Sequence, residues 1–312
     1  IRIVNGYTVY FWAQLTSLSV SLSAIQTAVS ELYYRIELNG AIVVPNTRLY
    51  NAGFFVDGAS PKLASYGTKL FFVFVDSSFA AIQAIPLDMT TPTAATGTAF
   101  TISSAIFANT ASIYDLWSDG SASWYVVTPN NTSASNVTVI TLSDETIGLA
   151  TDIDTAVGGG GLTGLAIHVN NSGRLWLLAS GNSIVRCALL TAAHAYTLAW
   201  TTVVAMVTST HQLTIVEVTS TKCMFAASHQ TGEYFVWGTA TSPAASTIVV
   251  YTGAVTRSPL FAIRSKLKLI GSYYYLIIQS CGYGNTTYLV RLSDTTGLKL
   301  ISVLFPGVYN KV

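Results

Sequence analysis

The stretch NNSGRLWLLASGNSIVRCALL, residues 170–190, contains a polar turn, an apolar run, a second polar turn and a second apolar run. Asn and Gly tolerate the positive φ that tight hairpin turns require, and large apolar or β-branched residues favour strands. The stretch therefore predicts two antiparallel strands, with Gly173 in the first turn. Cys187 is expected to be a buried, inert thiol.

The same pattern recurs along the chain. The other copies are NGYTVYFW at residue 5, YGTKLFFVFV at 66, DGSASWYVV at 119, TSTKCMFAAS at 219 and GSYYYLIIQS at 271. Their turn residues are Gly6, Gly67, Gly120, Gly173, Ser220 and Gly271, which gives spacings of 61, 53, 53, 47 and 51 residues. Further strands precede and follow most copies, and YYRIELNGAIVV at 33–44 is expected to be the fourth strand of the first period. Each period thus holds four strands.

Repeats of this length with four short strands are typical of β-propellers. We predict an all-β, six-bladed β-propeller with four antiparallel strands per blade, forming a single domain over residues 1–312. The approximate blades are 1–50, 51–108, 109–160, 161–208, 209–256 and 257–312. A pair of β-sandwiches would not predict a period repeated six times.

Two of the turns resemble a motif found in many propeller blades. NNSGRLW is similar to the Asp-x-Gly-x-x-Trp turn, with Asn171 in place of the aspartate, followed by Gly173 and Trp176. SDGSASW is a looser version in which Trp124 keeps its spacing from Asp119 but Gly120 comes one position early. The resemblance implies structural turns whose Trp124 and Trp176 pack between blades.

The composition is unusual for a globular domain. Apolar residues make up 51% of the chain and charged residues 9%, against about 25% charged residues in ordinary domains. No apolar stretch approaches the roughly 18 residues that a spanning helix needs, so no membrane span is expected. Because the chain starts with Ile1, it is expected to be processed or to be part of a longer chain.

No residue pattern predicts a catalytic centre. Gly159, Gly161 and Gly164 have the spacing of a dinucleotide-binding loop, but no helix pattern follows them, so we expect a loop between blades. Asp152 and Asp154 lack the further carboxylates of a calcium loop. The histidines and cysteines are too scattered to form a cluster: His168, His194, His211, His229, Cys187, Cys223 and Cys281. No catalytic residue, metal or cofactor is therefore assigned.

Charge is distributed unevenly along the chain. Residues 70–173 contain no Lys or Arg and carry a net charge of −8, from Asp76, Asp88, Asp115, Asp119, Asp144, Glu145, Asp152 and Asp154. Residues 174–312 contain ten basic and three acidic residues, a net charge of +7. Opposite charges on two sides of one molecule favour head-to-tail association into a ring. The candidate interface residues are Asp144, Glu145, Asp152 and Asp154 on one side and Arg257, Arg264, Lys266 and Lys268 on the other.

In architecture and composition, the chain resembles the propeller part of the tail nozzle proteins of short-tailed phages. The resemblance implies a structural virion protein that forms a homo-oligomeric ring. Its partners would be copies of itself and other tail proteins, and the genome would pass through the ring. No diagnostic motif supports the transfer of individual residues.

Two other functions remain open. The first is a receptor- or glycan-binding propeller on a virion or cell surface, in which Tyr273, Tyr274 and Tyr283 stack on sugar rings. The second is a secreted hydrolase or lyase, because propeller enzymes assemble sites from separate blades without a continuous motif. Both alternatives place the protein outside the cell or on its surface.

Overall fold

The computed structural model describes the chain in segments. They are residues 1–19, 27–55, 61–76, 81–104, 114–130, 135–155, 157, 161–170, 172–181, 184–205, 210–219, 222–229, 235–241, 249–253, 263–270, 273–280, 286–292 and 300–308. Their regular secondary structure consists entirely of β-strands. None of these residues belongs to a helix that is long and apolar enough to cross a membrane.

The described strands form six antiparallel sheets of four strands each, with the strands of each sheet in sequence order. Sheet 1 contains β1 (Arg2–Val4), β2 (Tyr7–Ser19), β3 (Thr27–Leu38) and β4 (Ala41–Phe55). Sheet 2 contains β5 (Lys62–Tyr66), β6 (Lys69–Val75), β7 (Ile82–Asp88) and β8 (Phe100–Ser103). Sheet 3 contains β9 (Asp115–Ser118), β10 (Trp124–Pro129), β11 (Asn136–Ser143) and β12 (Thr146–Asp154).

The C-terminal half repeats the arrangement. Sheet 4 contains β13 (Leu162–Val169), β14 (Leu175–Gly181), β15 (Ile184–Leu190) and β16 (Tyr196–Ala205). Sheet 5 contains β17 (Thr210–Thr219), β18 (Lys222–His229), β19 (Phe235–Thr241) and β20 (Val249–Gly253). Sheet 6 contains β21 (Ile263–Ile270), β22 (Tyr273–Ser280), β23 (Thr286–Leu292) and β24 (Leu300–Val308). The prediction of an all-β chain with four antiparallel strands per repeat is confirmed.

Two details of the sequence interpretation were wrong. YYRIELNGAIVV is the end of β3, a turn and the start of β4, because Asn39 and Gly40 adopt φ of 51° and 82° and close a hairpin. β4 then continues to Phe55, beyond the boundary predicted at residue 50. The fourth strand of sheet 3, β12, covers the acidic segment with Asp152 and Asp154, where no strand is predicted from the sequence.

Sheet 2 shows why the apolar run KLFFVFV does not alternate with polar residues. Leu70, Phe72 and Phe74 of β6 pack with sheet 1, in a cluster that includes Tyr34. On the opposite face of the strand, Phe71, Val73 and Val75 pack with sheet 3. A strand that is buried on both faces reads as a continuous apolar run.

The chain divides into two compact units, residues Ile1–Ile153 and Asp154–Val312. In the first unit, sheets 1, 2 and 3 are joined by the two clusters around β6. In the second unit, Trp176 and Leu178 of sheet 4 pack with Ile215 and Phe225 of sheet 5. That residues 1–312 form a single domain stays a prediction.

Candidate interaction surface

The turn between β11 and β12 carries two of the predicted interface acids, and both have a partner within the chain. Lys69 Nζ lies 2.8 Å from Asp144 Oδ2 and 2.8 Å from Glu145 Oε1. Hydrogen bonds to these two carboxylates raise the pKa of Lys69. Asp144 adopts a φ of 56°, and its carbonyl accepts a hydrogen bond of 3.0 Å from Trp124 Nε1. The ion pairs of Asp144 and Glu145 with Lys69 therefore join sheet 3 to sheet 2.

The other two predicted acids lie at the end of β12 and are exposed. Asp152 Oδ1 accepts a hydrogen bond of 2.7 Å from Thr138 Oγ1 on the neighbouring strand β11. Among the described residues, no group of three or more His, Cys, Asp or Glu side chains could hold a metal ion.

β12 is the most exposed of the described strands of sheet 3, and it is the terminal strand of that sheet. Its segment Thr146–Thr151 carries no charge, and Ile147 and Leu149 are 41% and 42% exposed. A terminal strand has one backbone edge without a partner strand in its own sheet, and apolar residues beside such an edge favour association with another chain. Sequence reasoning missed this strand because Gly, Ala and Asp, which alternate with its apolar residues, are depleted in strands.

The predicted basic side of the interface is only partly described. Arg264, Lys266 and Lys268 lie at alternate positions of β21, the first strand of sheet 6. Arg257 lies outside the described residues. The same holds for Tyr283 among the predicted glycan-stacking residues, whereas Tyr273 and Tyr274 open strand β22.

The first strands of sheets 1, 2 and 3 are joined by polar side chains that the sequence did not reveal. Arg2 Nη2 donates hydrogen bonds of 2.7 Å to Ser65 Oγ on β5 and to the carbonyl of Ser118 on β9. An ion pair of 3.0 Å between Lys62 and Asp115 also joins β5 to β9. Arg2 lies 116 residues from Ser118 and 63 residues from Ser65, and Lys62 lies 53 residues from Asp115. No local sequence pattern predicts such pairs.

The turn between β13 and β14 differs from the predicted motif. Asn170 holds this turn: its Oδ1 accepts hydrogen bonds from the backbone N–H groups of Ser172 and Arg174 at 3.0 and 2.8 Å. Asp119 acts similarly in sheet 3, where its Oδ1 accepts from the N–H of Ser121 at 2.7 Å. Both are Asx turns, and Asn171 lies outside the described residues.

The two tryptophans that follow these turns pack against different neighbouring sheets, one against the sheet before its own and the other against the sheet after it. Trp124 stacks on Phe71 of the preceding sheet, with ring centroids 4.9 Å apart. Trp176 packs instead with Ile215 and Phe225 of the following sheet. Asp119 precedes its tryptophan by five residues and Asn170 precedes its tryptophan by six. A difference of one residue reverses the face on which a strand side chain lies.

Glu217, at the end of β17, lies beside Asn170 and Trp176. Burial raises the pKa of its carboxyl, while the neighbouring polar groups of Asn170 and Trp176 and the charge of Arg174 act in the opposite direction. These residues come from both sheet 4 and sheet 5, so the carboxyl is part of the polar end of their shared core.

Several predicted turn glycines require the backbone freedom of glycine. Gly6, Gly67, Gly120 and Gly173 have φ values of 80°, 53°, 92° and 74°, and Gly271 lies outside the described residues. Of the glycine-rich loop, Gly161 has a φ of 81°, Gly164 lies within β13, and Gly159 is not described.

No protein-family model matches this sequence, and no curated protein is found as a relative. Its structure is similar to that of the BP39L lectin from Burkholderia pseudomallei, with a TM-score of 0.61 and 10% identity over 97% of this chain and 85% of the lectin.

A second similar structure is the Dos1 propeller, with a TM-score of 0.54 and 11% identity over 95% of this chain and 71% of the other. A third is a protein from Lactobacillus plantarum, with a TM-score of 0.53 and 11% identity over 95% of this chain and 82% of the other. At such low identity, these similarities concern the fold alone. With its sheets of four antiparallel strands, the chain has a β-propeller fold.

Proposed function

We propose that this protein is a structural component of a virion, a six-bladed β-propeller whose copies associate into a ring as part of a phage tail. Sheets 1 to 6 would be the six blades. The partners would be further copies of the chain and other tail proteins, and the genome would pass through the ring. The basic positions Arg264, Lys266 and Lys268 on β21 would meet the acidic side of the next copy.

The exposed strand β12 is the observation that carries this proposal. Ile147 and Leu149 are more than 40% exposed in a terminal strand, and Asp152 and Asp154 follow them. An uncharged strand edge beside two carboxylates suits a protein partner that offers both apolar and basic side chains. The uneven charge of the chain suggests that a second copy provides them.

The mass of the particle in solution tests the proposal. Light scattering across a concentration series should find an oligomer for the wild type and a shift toward the monomer for the double variant I147K/L149K. The matched control is I42K/V43K, which places the same two charges at other exposed apolar residues, 60% and 43% exposed on β4 of sheet 1. A wild type that stays monomeric at every concentration would rule out the ring.

The number of blades is tested separately. An electron microscopy map of the particle should show six blades in each copy of the chain. A map with five or seven blades would contradict the assignment of one sheet to each blade.

A second candidate function is glycan binding. It is favoured by the 49% exposure of Tyr196 at the start of β16, since an exposed ring can stack on the apolar face of a sugar. One of the structures with a similar fold is a lectin. A glycan array should then show binding that the Y196A variant loses, and an array without signal would leave the structural role as the remaining proposal.

A further inference from the structure

Two cysteines that the sequence treats as separate come together between sheets 4 and 5. Cys187 lies on β15 and Cys223 on β18, 36 residues apart, and their Sγ atoms are 4.0 Å apart. Both thiols are free and have no exposed surface. The two side chains therefore touch across the core that the two sheets share.

The surrounding side chains hold this pair in place. Both cysteines belong to the cluster that contains Trp176, Leu178 and Phe225. A disulfide has an S–S distance of about 2.05 Å, so the two sulfur atoms would have to approach by roughly 2 Å. Rotation of a cysteine side chain about χ1 moves its sulfur by a distance of this order.

We propose that Cys187 and Cys223 are a site of oxidative modification, forming a disulfide that links sheet 4 to sheet 5 when the protein meets a small peroxide. In the first step, one sulfur attacks hydrogen peroxide, the O–O bond breaks, and a sulfenic acid and water form. In the second step, the other sulfur attacks the sulfenic sulfur, the S–O bond breaks, and a second water leaves. Two thiols and one peroxide thus give one disulfide and two waters.

The environment of the pair makes this reaction slow but selective. The hydrogen bond with Cys223, followed by burial, raises the pKa of the Cys187 thiol well above its ordinary value. Because the thiolate is the nucleophile, the reaction should accelerate as the pH rises. Burial excludes bulky oxidants, which favours a small, uncharged peroxide over glutathione disulfide.

The disulfide would change the stability of the second unit, Asp154–Val312, because it adds a covalent bond between two sheets whose side chains pack against each other. Closing a loop of 36 residues restricts the unfolded chain. We expect the oxidised protein to melt about 5–10 °C above the reduced protein.

The experiment uses the full chain with the third cysteine replaced, C281S, so that Cys187 and Cys223 are the remaining thiols. The folded protein is treated with hydrogen peroxide without denaturant, alkylated, and digested for mass spectrometry. The proposal predicts a linked pair of peptides, an intact mass lower by two hydrogens, and a faster reaction at higher pH. Peptides that stay alkylated, or single cysteines that gain two or three oxygens, would overturn it.

Two double variants provide the controls. C187S/C281S and C223S/C281S each keep one thiol of the pair, so peroxide should produce no linked peptides and no rise in melting temperature. If the variants show the same rise as C281S, the stabilisation does not come from the disulfide. If the linked protein melts no higher than the reduced protein, the disulfide does not stabilise the second unit.

Discussion

Gly181 is the last residue of β14, and the backbone of the loop that precedes β13 passes close to it. A Cβ atom at this position would lie 2.5 Å from the carbonyl oxygen of Gly161 and 3.0 Å from Val157. Gly181→Ala should therefore cost about 1–3 kcal/mol of unfolding free energy, since backbone cannot move aside as a flexible side chain can. Urea unfolding measures this. Gly148→Ala is the control, because its Cβ would meet the carbonyl of Thr141 at 3.4 Å, and an equal loss in both variants would contradict the explanation.

Glu217 should make stability depend on pH in an unusual direction. Burial raises the pKa of its carboxyl above the ordinary value of 4.5, so the folded state binds the proton more tightly than the unfolded state. The resulting stabilisation is fully present below pH 4.5 and is lost as the pH rises through the folded pKa. The melting temperature of the wild type, compared with that of E217Q, should therefore fall between pH 4 and pH 7.

Thermal melts of both proteins at each pH measure this difference, and other titrating groups cancel because both proteins share them. A wild type that gains stability relative to E217Q as the pH rises would show that the neighbouring polar groups and the charge of Arg174 outweigh burial.

At the scale of the elements, the hairpin β13–β14 depends on one side chain. Asn170 Oδ1 accepts hydrogen bonds from two backbone N–H groups and from the Ser172 hydroxyl. Asn170→Ala should cost about 1–2 kcal/mol, because the turn loses its acceptor. Ser172→Ala removes one of these hydrogen bonds and should cost under about 0.5 kcal/mol. Chemical denaturation compares the two, and equal losses would show that Asn170 does not hold the turn.

The elements also show where sequence patterns are sufficient and where they fail. Most second and third strands lie where the apolar runs predicted them, because a turn residue and a β-branched run are local signals. The β3–β4 turn is not predicted from the sequence, although Asn39-Gly40 is a strong hairpin signal, because residues 33–44 are treated there as one strand. β12 is not predicted either, because Gly, Ala and Asp, which alternate with the apolar residues of this segment, are depleted in strands.

For the whole molecule, the proposed assembly should weaken with salt. Residues 70–173 carry −8 and residues 174–312 carry +7, and attraction between such surfaces is screened when the Debye length falls from about 10 Å at 0.1 M to about 3 Å at 1 M salt. The mass measured by light scattering should fall over this range. Sucrose of matched osmolarity is the control, and a mass that stays constant or increases with salt would contradict an electrostatic interface.

The sequence by itself determined the repeat, the strands and most of the hairpin turns, because these depend on residues that are neighbours in the chain. Only the tertiary structure decided which side chains meet between sheets. Arg2 reaches Ser118 across 116 residues, Lys69 pairs with Asp144 and Glu145, and Cys187 touches Cys223. Such contacts depend on the register of each strand, and a shift of one residue, as between the turns before Trp124 and Trp176, sends a side chain to the opposite face.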